Sequence, residues 1–191
     1  MPHRLLTLSS AVGLTVAGTI GAVAGPATAA PAQGPVTSTV AVPVTCVFTP
    51  TSQFSPAFDA TVKLTAPATV KAGATYKITV QVSTPIGNSV PIALNGLGFT
   101  STLTATGARP AKPIVLTQAP VDLNQGANAP AQTFKRRLRA GAAGSTITYA
   151  LTQHSYTFKI VGGIPDQIVA NCTPNAGGPV TIATTNVVGR R

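Results

Sequence analysis

The chain contains no glutamate and no tryptophan, and its only acidic residues are Asp59, Asp122 and Asp166. Charged residues make up 8% of the sequence, whereas about 25% is usual in a soluble domain. Hydrolysis of a glycosidic bond by the usual route needs two carboxylates beside the same bond. The three aspartates lie on three separate segments, so the shortage of carboxylates disfavours glycosidase chemistry.

Histidine is also scarce, since His3 and His154 are the only two. A serine or cysteine nucleophile needs a neighbouring base, and a zinc site built from nitrogen and sulfur ligands needs several such residues. No Gly-x-Ser-x-Gly motif is present, and His154 lies between two apolar runs, where we interpret it as a solvent-exposed turn residue. We therefore predict a non-enzymatic protein without a metal or a cofactor. The alternative is a hydrolase in which His154, Asp166 and a serine converge.

The N-terminal segment has the layout of a secretory signal. Arg4 precedes an uncharged apolar stretch over residues 5–24, and Ala27 and Ala29 supply the small residues that a signal peptidase needs. We predict a signal peptide over residues 1–29 and export of a protein without a transmembrane anchor, either to the medium or to the cell envelope. A permanent membrane anchor is the alternative, because the apolar run approaches the length that spans a bilayer.

Cleavage at that position would leave 162 of the 191 residues, enough for one domain with a full hydrophobic core. These residues carry 12 Lys and Arg against three Asp, a net charge of +9, together with 25 Thr. Threonine is β-branched and favours strands. We expect a flexible segment over residues 30–35, one domain over 36–188 and a basic tail over 189–191.

Alternation of apolar and polar residues predicts β-strands along this domain. In residues 36–48 one face holds the apolar positions Val40, Val42, Val44, Cys46 and Phe48. Comparable runs cover residues 58–65, 76–82, 97–105, 114–116, 147–151, 156–160, 168–172 and 180–182. Glycine- and proline-containing turns separate them, and no amphipathic helix is predicted. The pattern indicates an all-β protein, an antiparallel β-sandwich of the immunoglobulin-like, Greek-key kind.

Three further features refine this prediction. Pro43 has no N–H to donate, so the first strand is expected at a sheet edge or a bulge. Residues 107–113 are proline-rich and are expected to cross between sheets. Residues 124–132 have no apolar period and are expected to form a long exposed loop.

Cys46 and Cys172 are the only cysteines, and both occupy inward-facing strand positions. In an exported protein they most simply form one internal disulfide. Chain-entropy arguments give the closure of so long a loop a value of about 5 kcal/mol. Two buried free thiols, or one intermolecular bond, are the alternatives.

Four segments together suggest a family: "VPVTCVF", "APATVKAGATYKITVQV", "TATGARPAKPIVL" and "IVANCTP", in that order. Over most of residues 36–188 the chain resembles an uncharacterised secreted two-cysteine β-sandwich domain that is common in actinobacterial genomes. Their order, the two cysteines and a P-x-x-V-x-A-G turn at residues 67–73 carry the resemblance. It implies the fold, export and the pairing of Cys46 with Cys172, and it implies no activity.

A basic cluster stands out in the segment "FKRRLR" (residues 134–139). Lys135, Arg136, Arg137 and Arg139 supply a third of the positive charge of the predicted mature chain. On a strand, Arg136 would face the same side as Phe134, and the other three cations would face the opposite side. A helical turn would also align the apolar residues of the segment, so the pattern leaves both conformations open.

We expect this cluster to contact an anionic wall polymer or anionic lipid headgroups, and the protein to be a secreted interaction domain. Specific binding of nucleic acid is disfavoured, because tryptophan is absent and no known binding module is present. The alternative for the cluster is a set of charges that prevents edge-to-edge aggregation of an edge strand. The alternative for the whole protein is a small-molecule carrier with an apolar cleft, whose mouth the loop over residues 124–132 would line.

Overall fold

The computed structural model describes residues 34–54, 58–83, 93–160 and 167–189, without the side chains of residues 53, 54 and 58. The predicted signal peptide, Asp166 and the last two residues lie outside these ranges. The described residues contain strands and turns and include no helix that could cross a membrane. The thirteen strands are β1 Pro35–Thr49, β2 Gln53–Phe54, β3 Phe58–Pro67, β4 Thr69–Lys71, β5 Thr75–Ser83, β6 Leu94–Thr106, β7 Ala108–Arg109, β8 Ile114–Thr117, β9 Val121–Leu123, β10 Gln132–Ala140, β11 Thr146–Ile160, β12 Ile168–Pro174 and β13 Val180–Val188.

Hydrogen bonds join all thirteen strands into one continuous network, which we divide at β1 into a first and a second sheet. The first sheet runs in the order β1, β3, β5, β10 and β7, and residues 35–44 of β1 form its ladder with β3. The second sheet contains β2, β4, β13, β11, β12, β6, β8 and β9, and residues 44–49 of β1 join it through β12. All pairs are antiparallel except β13 with β4. One long strand therefore passes from one sheet to the other.

The prediction that the first strand is an edge strand holds for only half of β1. Residues 35–44 pair with β3, but residues 44–49 pair with β12, and Val47 and Phe48 also pair with β2. Pro43 precedes the residue at which β1 exchanges one partner for the other, and its carbonyl accepts a hydrogen bond from the Asn175 amide at 2.8 Å. A residue without an N–H is tolerated at such an irregular point of a ladder.

The two sheets face each other across one hydrophobic core. Phe99 of β6 packs edge-on against Phe134 of β10, with ring centroids 6.0 Å apart. The Tyr149 hydroxyl of β11 donates to the Tyr76 hydroxyl of β5 at 2.9 Å. Each contact joins one sheet to the other, so the predicted all-β sandwich is confirmed. The immunoglobulin-like, Greek-key topology stays a prediction.

The two predicted irregular segments lie where the sequence indicates. Residues 107–113 contain β7, which pairs with β10 in the first sheet, although β6 and β8 on either side belong to the second. Residues 124–131 contain no strand, and β10 begins at Gln132. Ala127 and Ala129 of this loop pack against the core. The crossover is confirmed, and the loop is one residue shorter than predicted.

Cys46 and Cys172 form a disulfide bond. They are directly opposite each other in the β1–β12 ladder, and both are fully buried. The bond joins two residues that are 126 positions apart, one near the beginning of the domain and one near its end. The predicted pairing is confirmed, and neither free thiols nor an intermolecular bond describes these cysteines.

Candidate functional site

The basic cluster lies on a strand, β10, and not on a helical turn. Lys135, Arg137 and Arg139 are exposed on the outer face of the first sheet, whereas Phe134 and Leu138 face inward. The alternation of exposed and partly buried residues along β10 follows the strand pattern in the sequence. Three of the four predicted cations therefore form a stripe along one strand.

Neighbouring strands add two more cations to this stripe. Lys77 of β5 is exposed and directly opposite Arg137, and Lys63 of β3 is exposed on the same outer face. We call Lys63, Lys77, Lys135, Arg137 and Arg139 the basic face. The alternation in residues 58–65 and 76–82 predicts that Lys63 and Lys77 face outward. It does not associate them with the cluster, because a single sequence does not show which strands pair.

The charges of the basic face are not neutralised by acidic neighbours. No salt bridge joins any of its cations to a described carboxylate. Asp59 lies on the same face of β3 as Lys63, but four residues further along the strand, or about 13 Å away. The carboxylate of Asp122 accepts a hydrogen bond from the Gly96 amide at 2.7 Å, in the second sheet. Like charges placed directly opposite on adjacent strands are destabilising, so the pair formed by Lys77 and Arg137 is unfavourable unless an anion binds there.

Arg136 does not belong to the basic face. Its side chain points inward and is partly buried, and its guanidinium donates to the Lys135 and Val115 carbonyls, each at 3.1 Å. The guanidinium carbon also lies 5.8 Å from the centre of the Phe134 ring. Because Val115 belongs to β8, Arg136 links the edges of the two sheets. Its donors are used within the fold, which separates it from the other three predicted cations.

Strand β10 also lies mostly at a sheet edge, as the alternative role in preventing aggregation requires. Residues 132–139 pair with β5 along one side, and on the other side β7 pairs only with Arg139 and Ala140. Most of β10 is therefore an edge. Charged residues on an edge discourage pairing with a second chain, and this role of the cations stays a prediction beside the binding role.

The interpretation of His154 as a solvent-exposed turn residue is wrong. Strand β11 continues without interruption from Thr146 to Ile160, and the His154 side chain is fully buried. The ladder between β11 and β6 shifts at Thr152, so that this extra residue forms a bulge. A bulge exchanges the inward and outward positions of a strand. The inward residues are thus Tyr149 and Leu151 before the bulge, and His154 and Tyr156 after it.

His154 belongs to a buried polar network. Its Nδ1 lies 2.5 Å from the Ser101 hydroxyl on β6, and its Nε2 forms a hydrogen bond with the Tyr156 hydroxyl. Burial lowers the pKa of His154 to about 4 and raises the pKa of Tyr156. The imidazole is therefore neutral near pH 7, with one ring nitrogen donating and the other accepting. Both nitrogens are satisfied, as buried polar groups usually are.

The serine of this network is buried, whereas a nucleophile must be accessible to its substrate. Ser101 and His154 are fully buried and directly opposite each other in the β6–β11 ladder, and the next strand places Cys172 beside His154. Asp166, the third residue of the hydrolase alternative, lies outside the described residues. Within the described ranges, no three His, Cys, Asp or Glu residues are grouped so that they could hold a metal ion.

No family model matches the chain, and comparisons with curated proteins and with solved structures found no match. The function is therefore inferred from the residues and their geometry.

Proposed function

We propose that this protein is an exported, non-enzymatic interaction domain that binds anionic polymers of the cell envelope or its surroundings through the basic face. The observation that carries the proposal is the alignment of five exposed cations on adjacent strands, with Lys77 directly opposite Arg137 and no described carboxylate bound to either. Cations in this arrangement repel one another in the free protein. A bound polyanion relieves that repulsion and releases its own condensed counterions.

Export is the second part of the proposal. A buried disulfide joins two distant strands, and such bonds form and persist in oxidising compartments. The N-terminal segment has the sequence of a signal peptide. These features also support membership of the uncharacterised secreted two-cysteine domain that the sequence resembles, which shares the two-cysteine layout.

The binding face can be tested by removing charge from two places. In the variant Lys77→Thr/Arg137→Thr the directly opposed pair is lost, and threonine maintains the strand preference of both positions. In the control Lys112→Thr/Lys159→Thr the two exposed cations lie on the loop after β7 and on the second sheet. Both variants lose the same formal charge, so the general field of the protein is matched.

We expect the first variant to elute from a heparin or phosphate resin at clearly lower salt than the control. The slope of log affinity against log salt should fall by about two, or about one for each lost contact. Equal shifts in the two variants would mean that net charge alone causes retention, and the proposal would then be wrong. A first variant that binds normally but aggregates would support the edge-protection alternative.

A further inference from the structure

A second pair of cations lies at one end of the basic face. Arg139, the last cation of β10, is directly opposite Arg109 of β7. Both arginines are exposed, and neither forms a salt bridge with a described carboxylate. Two like-charged residues thus occupy directly opposite ladder positions, an arrangement that is destabilising without an anion. The sequence gives no sign of this pair, because Arg109 lies in the proline-rich crossover.

The two arginines line a surface cavity of about 300 Å³. The other lining residues are small, namely Ala72, Gly73, Ala140, Gly141 and Ala142. The cavity is at the small end of the range for ligand pockets, about 300–1,000 Å³. It is larger than a bare inorganic anion needs, so it has room for the group that carries the anion.

A backbone contact orients Arg139, and a close approach of two segments brings Arg109 opposite it. The Nε of Arg139 donates to the Gly73 carbonyl at 3.0 Å, which orients the guanidinium and leaves its terminal nitrogens for another acceptor. Gly141, which follows β10, lies so close to Gly107, which precedes β7, that a Cβ on Gly141 would be 2.3 Å from the Gly107 carbonyl oxygen. Glycine at this position therefore permits the close approach of the two segments that bear Arg139 and Arg109.

We propose that this cavity binds a phosphate monoester through Arg109 and Arg139. A phosphate monoester carries a charge of about −1.5 to −2 at pH 7 and three acceptor oxygens, which matches two neighbouring arginines better than a carboxylate does. Arginine binds phosphate with two parallel N–H donors, which lysine cannot offer. The site shares Arg139 with the basic face and rests on the proposed affinity for anions, but the cavity and its ligand are its own.

Calorimetric titration with glycerol 3-phosphate, at low and constant ionic strength, tests the assignment on the full predicted mature chain. We expect saturable binding at one site, and no comparable heat with acetate. Arg109→Lys preserves the charge and removes the two-donor geometry, so it should weaken binding by about tenfold. Lys112→Ser, which removes a nearby charge outside the cavity lining, should leave it unchanged. Thermal melting of each variant identifies any loss that comes from unfolding.

Unchanged affinity in Arg109→Lys, an equal loss in Lys112→Ser, or the absence of saturable binding by the unmodified protein would overturn the assignment. Lys77→Thr/Arg137→Thr separates it from the proposed function, because this variant should lose polymer retention and still bind glycerol 3-phosphate. Vesicles that contain phosphatidic acid present the same monoester at a lipid surface. Vesicle binding that is lost in Arg109→Lys assigns the ligand to a lipid, and binding of the soluble ester alone assigns it to a soluble compound.

Discussion

The two sheets carry different residues on their outer faces. The outer face of the first sheet holds the five cations of the basic face, without a carboxylate partner among the described residues. The second sheet presents mainly hydroxyl and amide side chains, and its exposed cations Lys71 and Lys159 lie on separate strands. Among the outward residues of the second sheet are Thr100, Thr102, Thr104, Ser155, Asn171 and Thr173. Positive charge is thus concentrated on one side of the sandwich.

The two sheets also differ in features that affect stability. The second sheet contains the disulfide and, beside Cys172, the network of Ser101, His154 and Tyr156. The first sheet carries a like-charged pair, Lys77 with Arg137, that opposes folding. The disulfide and the buried polar network thus lie on the second sheet, whereas the cations that we assign to binding lie on the first. Changes to each sheet should therefore have separable effects.

The largest expected effect is loss of the disulfide from the second sheet. Replacing both cysteines, Cys46→Ala/Cys172→Ala, should reduce the free energy of unfolding by about 5 kcal/mol or somewhat less. The physical reason is that the unfolded chain regains the freedom of a loop that spans 126 positions. Urea denaturation measures the change. Retention on heparin, measured on the fraction that remains folded, should be unaffected, and a loss of retention there would show that stability and binding are not separable.

Acidification should lower the free energy of unfolding through His154, which also lies in the second sheet. Its pKa in the folded protein, about 4, lies below its ordinary value of 6.5, so the unfolded chain binds more protons between these values. The stabilising contribution is complete above pH 6.5 and is lost as the pH falls to 4. The loss amounts to about 3 kcal/mol. Urea denaturation across this range should show the decline in the unmodified protein and a nearly flat profile in His154→Gln. An equally steep decline in both would assign the effect to other groups.

The smallest effect should have the opposite sign and come from the first sheet. Removing the like-charged pair in Lys77→Thr/Arg137→Thr should raise the free energy of unfolding by about 0.2–1 kcal/mol at low salt. The gain should shrink as salt screens the repulsion that it relieves. Denaturation at two ionic strengths measures it. A variant that is less stable than the unmodified protein at low salt would show that these cations do not repel each other in the fold.

Much of the fold could be predicted from the sequence, because each strand with one buried face records its orientation in alternate residues. Val42, Leu64 and Ile78 are buried as this alternation indicates, and so are both cysteines. The prediction for His154 was wrong because it relied on the same alternation. The bulge at Thr152 exchanges the inward and outward positions within β11. In the sequence, the interrupted alternation cannot be distinguished from two strands separated by a turn.

The candidate sites were less predictable than the strands. The sequence indicates that Lys135, Arg137 and Arg139 share a face, because they are alternate residues of one strand. It does not indicate that Lys77 is opposite Arg137, or that Arg109 is opposite Arg139. These pairings depend on strand order and register, which the packing of the whole core determines. Contacts between distant strands are therefore visible only in the folded structure.

Moving charge between the two outer faces tests the central claim most directly. The variant Lys77→Thr/Arg137→Thr/Thr117→Lys/Gln153→Lys transfers two cations from the first sheet to exposed positions of the second and leaves the net charge unchanged. The measurement is the salt concentration at which the protein elutes from heparin. If the basic face is the binding site, this variant should elute at the low salt concentration of Lys77→Thr/Arg137→Thr. Elution at the salt concentration of the unmodified protein would contradict the account, because total charge and not its placement would then govern binding.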